Sequence, residues 1–305
     1  MSEQNTSLTG ILCVNKPEGF TSFDVIAKLR GMTRCRKIGH SGTLDPMATG
    51  VLPLFFGGAT KAVDLLPQTD KAYIADFRLG LTTDTQDSTG RVLSEHASCI
   101  TKAELLAVLA AFQGEIMQLP PMYSAVQVNG QRLYDLARRG VEVERTPRAV
   151  TIHELKLLSF DERQQIGQLY ARCSKGTYIR TLCHDIGEQL GTGAIMTGLC
   201  RTEACGFTLD DCVTLDQIQL AAGQGAVHQL LRPVSTVFMS YPAIQLNETQ
   251  SRMFVNGVKL DLHRIARVET GPCSVWDSQR RFLGLALPDR DQMELRILKL
   301  FFEGK

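Results

Sequence analysis

The segment AYIADFRLG, residues 72–80, has the period-two pattern of a strand, with Tyr73, Ala75, Phe77 and Leu79 on one face. The same alternation returns at Leu169, Ala171 and Cys173. A short apolar strand, Ile11 to Val14, ends at Asn15-Lys16-Pro17 and Gly19, which cannot continue it. Helical signals stand between these strands. Ser22 is placed to cap a helix running to about Arg30, with Asp24 in its first turn, Lys28 and Arg30 in its last, and Gly31 after it. Thr101 and Glu104 have capping-box spacing before a helix that ends near Gly114. Thr177 is expected to cap a helix whose apolar stripe is Ile179, Leu182, Cys183, Ile186 and Leu190. Asn129-Gly130 signals a hairpin turn. From about residue 240 the texture changes to short strand-like pieces, VNGVKL, CSVWD, RFLGLAL and MELRILKLF, which predict a small β-rich C-terminal domain.

A length of 305 residues, 44% hydrophobic, allows roughly two domains with real cores. No apolar run reaches the roughly 18 residues of a membrane span. The polar start, MSEQNTS, lacks a signal-peptide pattern and is expected to be a frayed tail. Nine scattered cysteines without a CxxC fit reduced thiols in the cytoplasm. A zinc set from Cys200, Cys205, Cys212 and His184 matches no common ligand spacing. Gly57-Gly58-Ala59-Thr60-Lys61 is no phosphate loop, because Lys61 follows Thr60 and precedes Ala62.

The net charge is only +1, so the distribution matters more than the total. Residues 25–44 carry five Lys/Arg and no acid, and residues 163–184 carry Arg163, Arg172, Lys175 and Arg180 and no acid. Residues 131–148 add five arginines against three acids. Any one such run alone reads as a solvated face. Each of these three abuts a motif bearing glycine or tyrosine, which weighs against that reading for all three together.

The first run ends in KIGHSGTLDPMATG, residues 37–50, read as a glycine-rich loop holding one carboxylate, Asp45. Arg180 sits in the first turn of the helix expected after Thr177, where it opposes the helix dipole. Such a cation calls for a carboxylate partner, and Asp45 is the candidate. A fixed carboxylate can act as a nucleophile. Tyr73 and Tyr178 lie in the same motifs, and tyrosines beside a basic groove offer stacking surfaces for an unpaired base.

Five blocks in order carry a resemblance: GILCVNKPEGFTSFDV (10–25), KIGHSGTLDPMATGVLPLFFGGATK (37–61), KAYIADFRLGLTTDTQDSTG (71–90), PPMYSAVQVNGQRLYDLARRG (120–140) and CSKGTYIRTLCHDIGEQLG (173–191). With these the chain closely resembles the bacterial tRNA pseudouridine-55 synthases, the TruB family. The resemblance implies an α+β fold: a mixed, largely antiparallel sheet flanked by helices over residues 1–240, with a flexible tail at 1–8. A small β-rich PUA-like RNA-binding domain is implied over 241–305. It implies a probably monomeric, cytoplasmic isomerase of one uridine in the tRNA T-loop, without metal or organic cofactor and without a membrane partner. The implied catalytic residues are Asp45, Tyr73 and Arg180. The implied substrate-binding residues are His40, Tyr73, Tyr178, Leu199, Arg201 and Lys16, with Pro17 packing beside Lys16 beneath the site. The chain departs from many relatives after Arg201, where it reads TEACGF, and at Cys200.

These residue types suit the implied reaction. Glycosidases usually need two carboxylates, but uracil can leave as a stabilised anion, so one carboxylate in a dry pocket is enough. Asp45 can attack C1′, stabilise a cationic sugar, or assist loss of the C2′ proton. Tyr73, with an ordinary pKa of about 10, is expected mainly to stack, with proton transfer as a second role. The alternative reading is a non-catalytic T-loop-binding RNA chaperone. An aspartate-nucleophile phosphohydrolase ranks far below it, because Asp45-Pro46-Met47 offers no second aspartate.

Overall fold

The computed structural model describes residues 8–128, 130–266 and 268–301. The chain runs β1 (Gly10–Lys16), α1 (Ser22–Thr33), β2 (Ile38–His40), β3 (Thr49–Phe56), β4 (Lys71–Leu79), β5 (Leu81–Thr83), β6 (Val92–Glu95), α2 (Lys102–Ala111) and β7 (Gly114–Gln118). It continues through β8 (Gln127–Val128), β9 (Gln131–Arg132), α3 (Leu133–Arg138), β10 (Arg148–Asp161), β11 (Ile166–Cys173), α4 (Ile179–Gln189), β12 (Ala194–Ala204), β13 (Phe207–Thr208) and α5 (Leu215–Gly223). The last part holds β14 (Ala243–Gln245), α6 (Glu248–Val255), β15 (Leu260–Asp261), β16 (Cys273–Trp276), β17 (Phe282–Asp289) and β18 (Glu294–Leu300).

A nine-stranded sheet in the order β1-β3-β12-β4-β11-β10-β7 forms the body, with β2 and β13 on its flank. Its pairs are antiparallel except β12 with β3, which run parallel at Cys200↔Thr49 and Arg201↔Gly50. This mixed, largely antiparallel sheet with flanking helices is the expected α+β architecture. Gly50 has φ +101, and a Cβ there would run into the Arg201 backbone, so glycine permits the parallel contact.

Alternation assigns the two faces. Leu12, Val14, Leu52, Leu54 and Phe56 join Tyr73, Ala75, Phe77 and Leu79 in a core with α1, α2, α4 and α5. The neighbouring Ile11, Cys13, Val51 and Phe55 point the other way, into a second core shared with Phe238, Leu285 and Phe301. Ile11–Val14 of β1 and Val51–Phe56 of β3 are thus continuously apolar because both of their faces are covered. A five-stranded sheet, β14-β16-β17-β18-β15, has its own core around Ile244, Phe254, Val275 and Leu295.

Several local expectations need correction. Thr21, not Ser22, caps α1, in a full capping box with Asp24. The helix runs through Gly31 to Thr33, and Arg34 ends it in the left-handed region at φ 55, with its N–H on the Arg30 carbonyl. Residues 37–50 are not all loop, since Ile38–His40 pairs with β3. VNGVKL is no strand: Val255 ends α6, and only Leu260 of the segment is extended, as the first residue of β15. The capping box at Thr101 and Glu104 is present as expected. Asn129 of the Asn129-Gly130 turn lies outside the described residues, although β8 and β9 on either side pair antiparallel. Of the tail expected at 1–8, only residue 8 lies within them. No described helix is long and apolar enough to cross a membrane. In TEACGF, Cys205 and Gly206 have φ 56 and 78, the two positive values of a type I′ turn, which joins β12 to β13.

Candidate active site

Asp45 stands on a loop that is tied down from both sides. Ser22, the first residue of α1 and 2% exposed, accepts the Leu44 N–H on its hydroxyl at 2.8 Å. Lys16, at the end of β1, is fully buried and donates to the carbonyls of Pro17, Phe20 and Pro46 at 2.9, 2.5 and 3.2 Å. The Gly19 N–H also reaches the Pro46 carbonyl, at 2.9 Å. A loop held at residues 44 and 46 leaves the carboxylate between them little freedom.

The ion pair expected between Asp45 and Arg180 is present, with Nε 3.0 Å from Oδ2. Arg180 is itself 5% exposed and does more than pair. Nη1 donates to the Thr85 carbonyl at 3.0 Å and lies 3.4 Å from Asp87 Oδ2, and Nη2 donates to the Tyr123 carbonyl at 2.9 Å. The guanidinium therefore joins three loops, a task for its fixed fork of donors. Asp87 was not singled out in the sequence. Its other oxygen accepts from the Thr85 hydroxyl and from the Thr89 N–H and hydroxyl. The signal for it was the density of Asp and Thr in TTDTQDSTG, a composition that builds side-chain-bonded turns. Of the two carboxylates on Arg180, Asp45 is 38% exposed and Asp87 6%, so Asp45 is the more open of the two to the cleft that both line.

Tyr73, on β4, is buried beside Asp45 and the Arg201 guanidinium. Burial pushes its phenol up to about 12, against a smaller downward pull from Arg201. His40, at the end of β2, accepts the Gly42 N–H on Nδ1 at 3.2 Å, which leaves the proton of the neutral ring on Nε2. Burial and the Arg201 charge both lower its pKa. The same two causes lower Lys71.

Two expected substrate-binding residues do not reach the cleft. Lys16 has no exposed surface and is occupied with carbonyls, and burial pushes its ammonium down to about 8. Arg201 is 1% exposed, and it donates to the carbonyls of Val51 at 2.7 Å and Gly42 at 3.3 Å. Both act from beneath, as supports of the Asp45 loop and of Tyr73. Sequence spacing could not separate lining from support, because burial beneath the loop is decided by how β1 and β12 pack and not by spacing along the chain.

Tyr178 and Leu199 do line it. Thr177 is not the cap of α4. Its hydroxyl donates to the Ser174 carbonyl, and Tyr178 occupies the N-cap position with no side-chain hydrogen bond to the helix.

His40, Asp45, Tyr73, Tyr178, Arg180 and Leu199 thus share one cleft of about 1190 Å³. Asp87 and Arg91, with Tyr123, Arg132, Tyr134 and Arg138, belong to its further wall. There the Tyr134 ring lies between the guanidinium groups of Arg132 and Arg138, 5.8 and 5.6 Å from its centroid. The cleft can hold a nucleotide against a buried aromatic ring, with one fixed carboxylate at its floor and cations around it.

Comparison with known proteins finds relatives over most of the chain. Residues 30–179 match the family described as TruB family pseudouridylate synthase (N terminal domain), and residues 180–239 match tRNA pseudouridylate synthase B C-terminal domain. The tRNA pseudouridine synthase B of Pseudomonas fluorescens (strain Pf0-1) is 43% identical over 288 residues, 93% of each chain. That of Clostridium tetani is 39% identical over 290 residues, 94% of this chain and 98% of its own. Among solved structures, one of a Cbf5-Nop10-Gar1 complex superposes with TM-score 0.75 at 24% identity, covering 97% of this chain and 85% of that one, which is a likeness of fold.

Proposed function

The chain belongs to the TruB family of pseudouridylate synthases, and from that premise we propose that it isomerises the uridine at position 55 in the T-loop of tRNA, with Asp45 acting on the sugar. The observation that carries this reading is the Asp45–Arg180 pair at 3.0 Å, open to the cleft on the Asp45 side and next to a buried tyrosine ring.

The reaction breaks the N1–C1′ bond, and uracil leaves with the bonding electron pair. The base then turns, C5 bonds to C1′, the hydrogen on C5 departs as a proton, and N1 takes up a proton, so the product is an isomer of the substrate. Asp45 balances the charge that develops at C1′, by bonding to it or by facing it. Arg180 holds the carboxylate aimed, and Tyr73 gives the free base a flat surface on which to turn. Water in the pocket would trap the sugar, so the buried Tyr73 and Leu44 and the partly buried Leu199 that line the cleft serve the chemistry by displacing it. No step requires a metal or an organic cofactor.

The target must leave its loop, at a cost of a few kcal/mol. His40, neutral and lining the cleft, enters the space it vacates. Tyr178 and Leu199 border the pocket. The basic runs bring phosphates, and residues 241–305 serve as the PUA-type RNA-binding domain beside a catalytic domain of residues 1–240. The enzyme acts as a monomer in the cytoplasm, where its substrate is.

The test is tritium release from a T-arm stem-loop labelled at C5 of uridine, with wild type beside Asp45→Asn and a chelator present. Release by wild type alone is expected. No release by wild type, with tight loop binding retained, would overturn the reading in favour of an RNA chaperone. Normal release by Asp45→Asn would remove Asp45 from the chemistry.

A further inference from the structure

Gln118 is the last residue of β7, in register with Arg148 of β10, and it is 2% exposed. Its amide oxygen accepts the Tyr178 N–H at 2.7 Å, and its amide nitrogen donates to the Tyr178 carbonyl at 3.1 Å. One side chain therefore grips both polar groups of a single main-chain residue, 60 positions away. Tyr178 opens α4 without a side-chain cap of its own, and its carbonyl also accepts the first helical bond, from the Leu182 N–H at 3.0 Å. Arg180 follows two residues later. The chain leaving Gln118 passes through Pro120 and Pro121, whose φ values are fixed. It then returns to α4 at Tyr123, whose carbonyl takes Arg180 Nη2. Residues 118–123 thus hold the start of α4 at two points, one on the main chain and one on the guanidinium.

We propose that Gln118 is a positioning residue for the reaction: its amide fixes the Tyr178 main chain, and through it the placement of Arg180 against Asp45. This rests on reading Asp45 and Arg180 as the reacting pair and its holder. Gln118 is not among the residues lining the cleft, and it lies outside the three basic runs. Its loss should therefore act on the chemical step and leave RNA affinity alone. A displacement near 1 Å in such a group costs on the order of a hundredfold in rate.

The experiment compares Gln118→Met and Gln118→Glu with wild type and Asp45→Asn. Single-turnover tritium release is measured at saturating enzyme, tRNA affinity by filter binding, and folding by thermal melting. Met keeps the length and removes both hydrogen bonds. Glu keeps an acceptor for the Tyr178 N–H and loses the donor to its carbonyl. The expected result is a single-turnover rate at least about tenfold lower in both variants, with tRNA affinity within about threefold of wild type. Should Gln118→Met fail to fold, the near-isosteric Glu variant carries the same test. Rates within about twofold of wild type would overturn the proposal. So would a loss of affinity as large as the loss of rate, which would mean a general disturbance of the fold. Normal release by Asp45→Asn would remove the premise instead, and that result is distinguishable because it does not involve Gln118.

Discussion

Lys16 has an ammonium group with three carbonyl oxygens around it and no exposed surface. Lys16→Met would remove the ammonium from the Pro17 and Phe20 oxygens, whereas the Pro46 oxygen keeps the Gly19 N–H, and each unpaired oxygen costs about 1–3 kcal/mol where the group stays dry. The pH dependence has a definite sign. Burial lowers the folded-state pKa from 10.5 to about 8, so between these values the unfolded chain binds more protons than the folded one. Stability from this site therefore rises with pH across that window. Urea denaturation should show the wild-type advantage over Lys16→Met growing between pH 7 and pH 10, and a constant or shrinking advantage would contradict the assignment. Tyr73 gives a second pH expectation. A phenol pushed up to about 12 stays neutral wherever the enzyme is assayed. The single-turnover pH–rate profile should then carry no basic limb from Tyr73 below about pH 9.5. A limb in that range that vanishes in Tyr73→Phe would show that the tyrosine ionises during the reaction.

At the scale of elements, the periods of the chain were legible and many of its attachments were not. β4 and β11 could be read because one face of each is buried, which imposes strict alternation on Tyr73–Leu79 and Leu169–Cys173. The pairing of Asp45 with Arg180 could be read because a cation in a first helical turn is misplaced unless something answers it. Asp87, Ser22 and Gln118 could not be read, since each acts on a partner whose approach is decided by sheet order. Ser22 is the sharpest case. It looked like a cap, but Thr21 caps the helix, and the Ser22 hydroxyl instead holds the Leu44 N–H of the Asp45 loop. Ser22→Ala should leave a buried amide unpaired and destabilise the protein by about 1–3 kcal/mol. It should also slow single turnover, because the loop next to the reacting carboxylate loses its tether. Thr21→Ala, which removes the cap without touching the loop, should cost about 1 kcal/mol and leave the rate unchanged. Equal effects of the two substitutions on rate would mean that α1 as a whole, not the Ser22 tether, positions Asp45.

At the scale of the molecule, the two sides of the large sheet have different tasks. Tyr73 faces the helical side with α1, α2, α4 and α5, and the reacting groups gather there. On the opposite side, Ile11, Cys13, Val51 and Phe55 meet Phe238, Leu285 and Phe301, which fastens the C-terminal sheet to β1 and β3. Phe238 is the centre of that junction. It is 1% exposed, and its ring lies 5.9 Å from Tyr241, 6.0 Å from Phe282 and 5.7 Å from Phe301 between centroids. Phe238→Ala opens a cavity there, at a cost of about 3–5 kcal/mol. The five-stranded sheet has its own core around Phe254 and Val275 and need not unfold with the junction. The expected outcome is a lower and broader melting transition, together with weaker tRNA binding, because the two surfaces proposed to face RNA lose their fixed separation. Single turnover at saturating enzyme should match wild type, because the cleft lies across the sheet from the junction. A fall in that rate comparable to the fall in affinity would show that the C-terminal sheet also shapes the cleft.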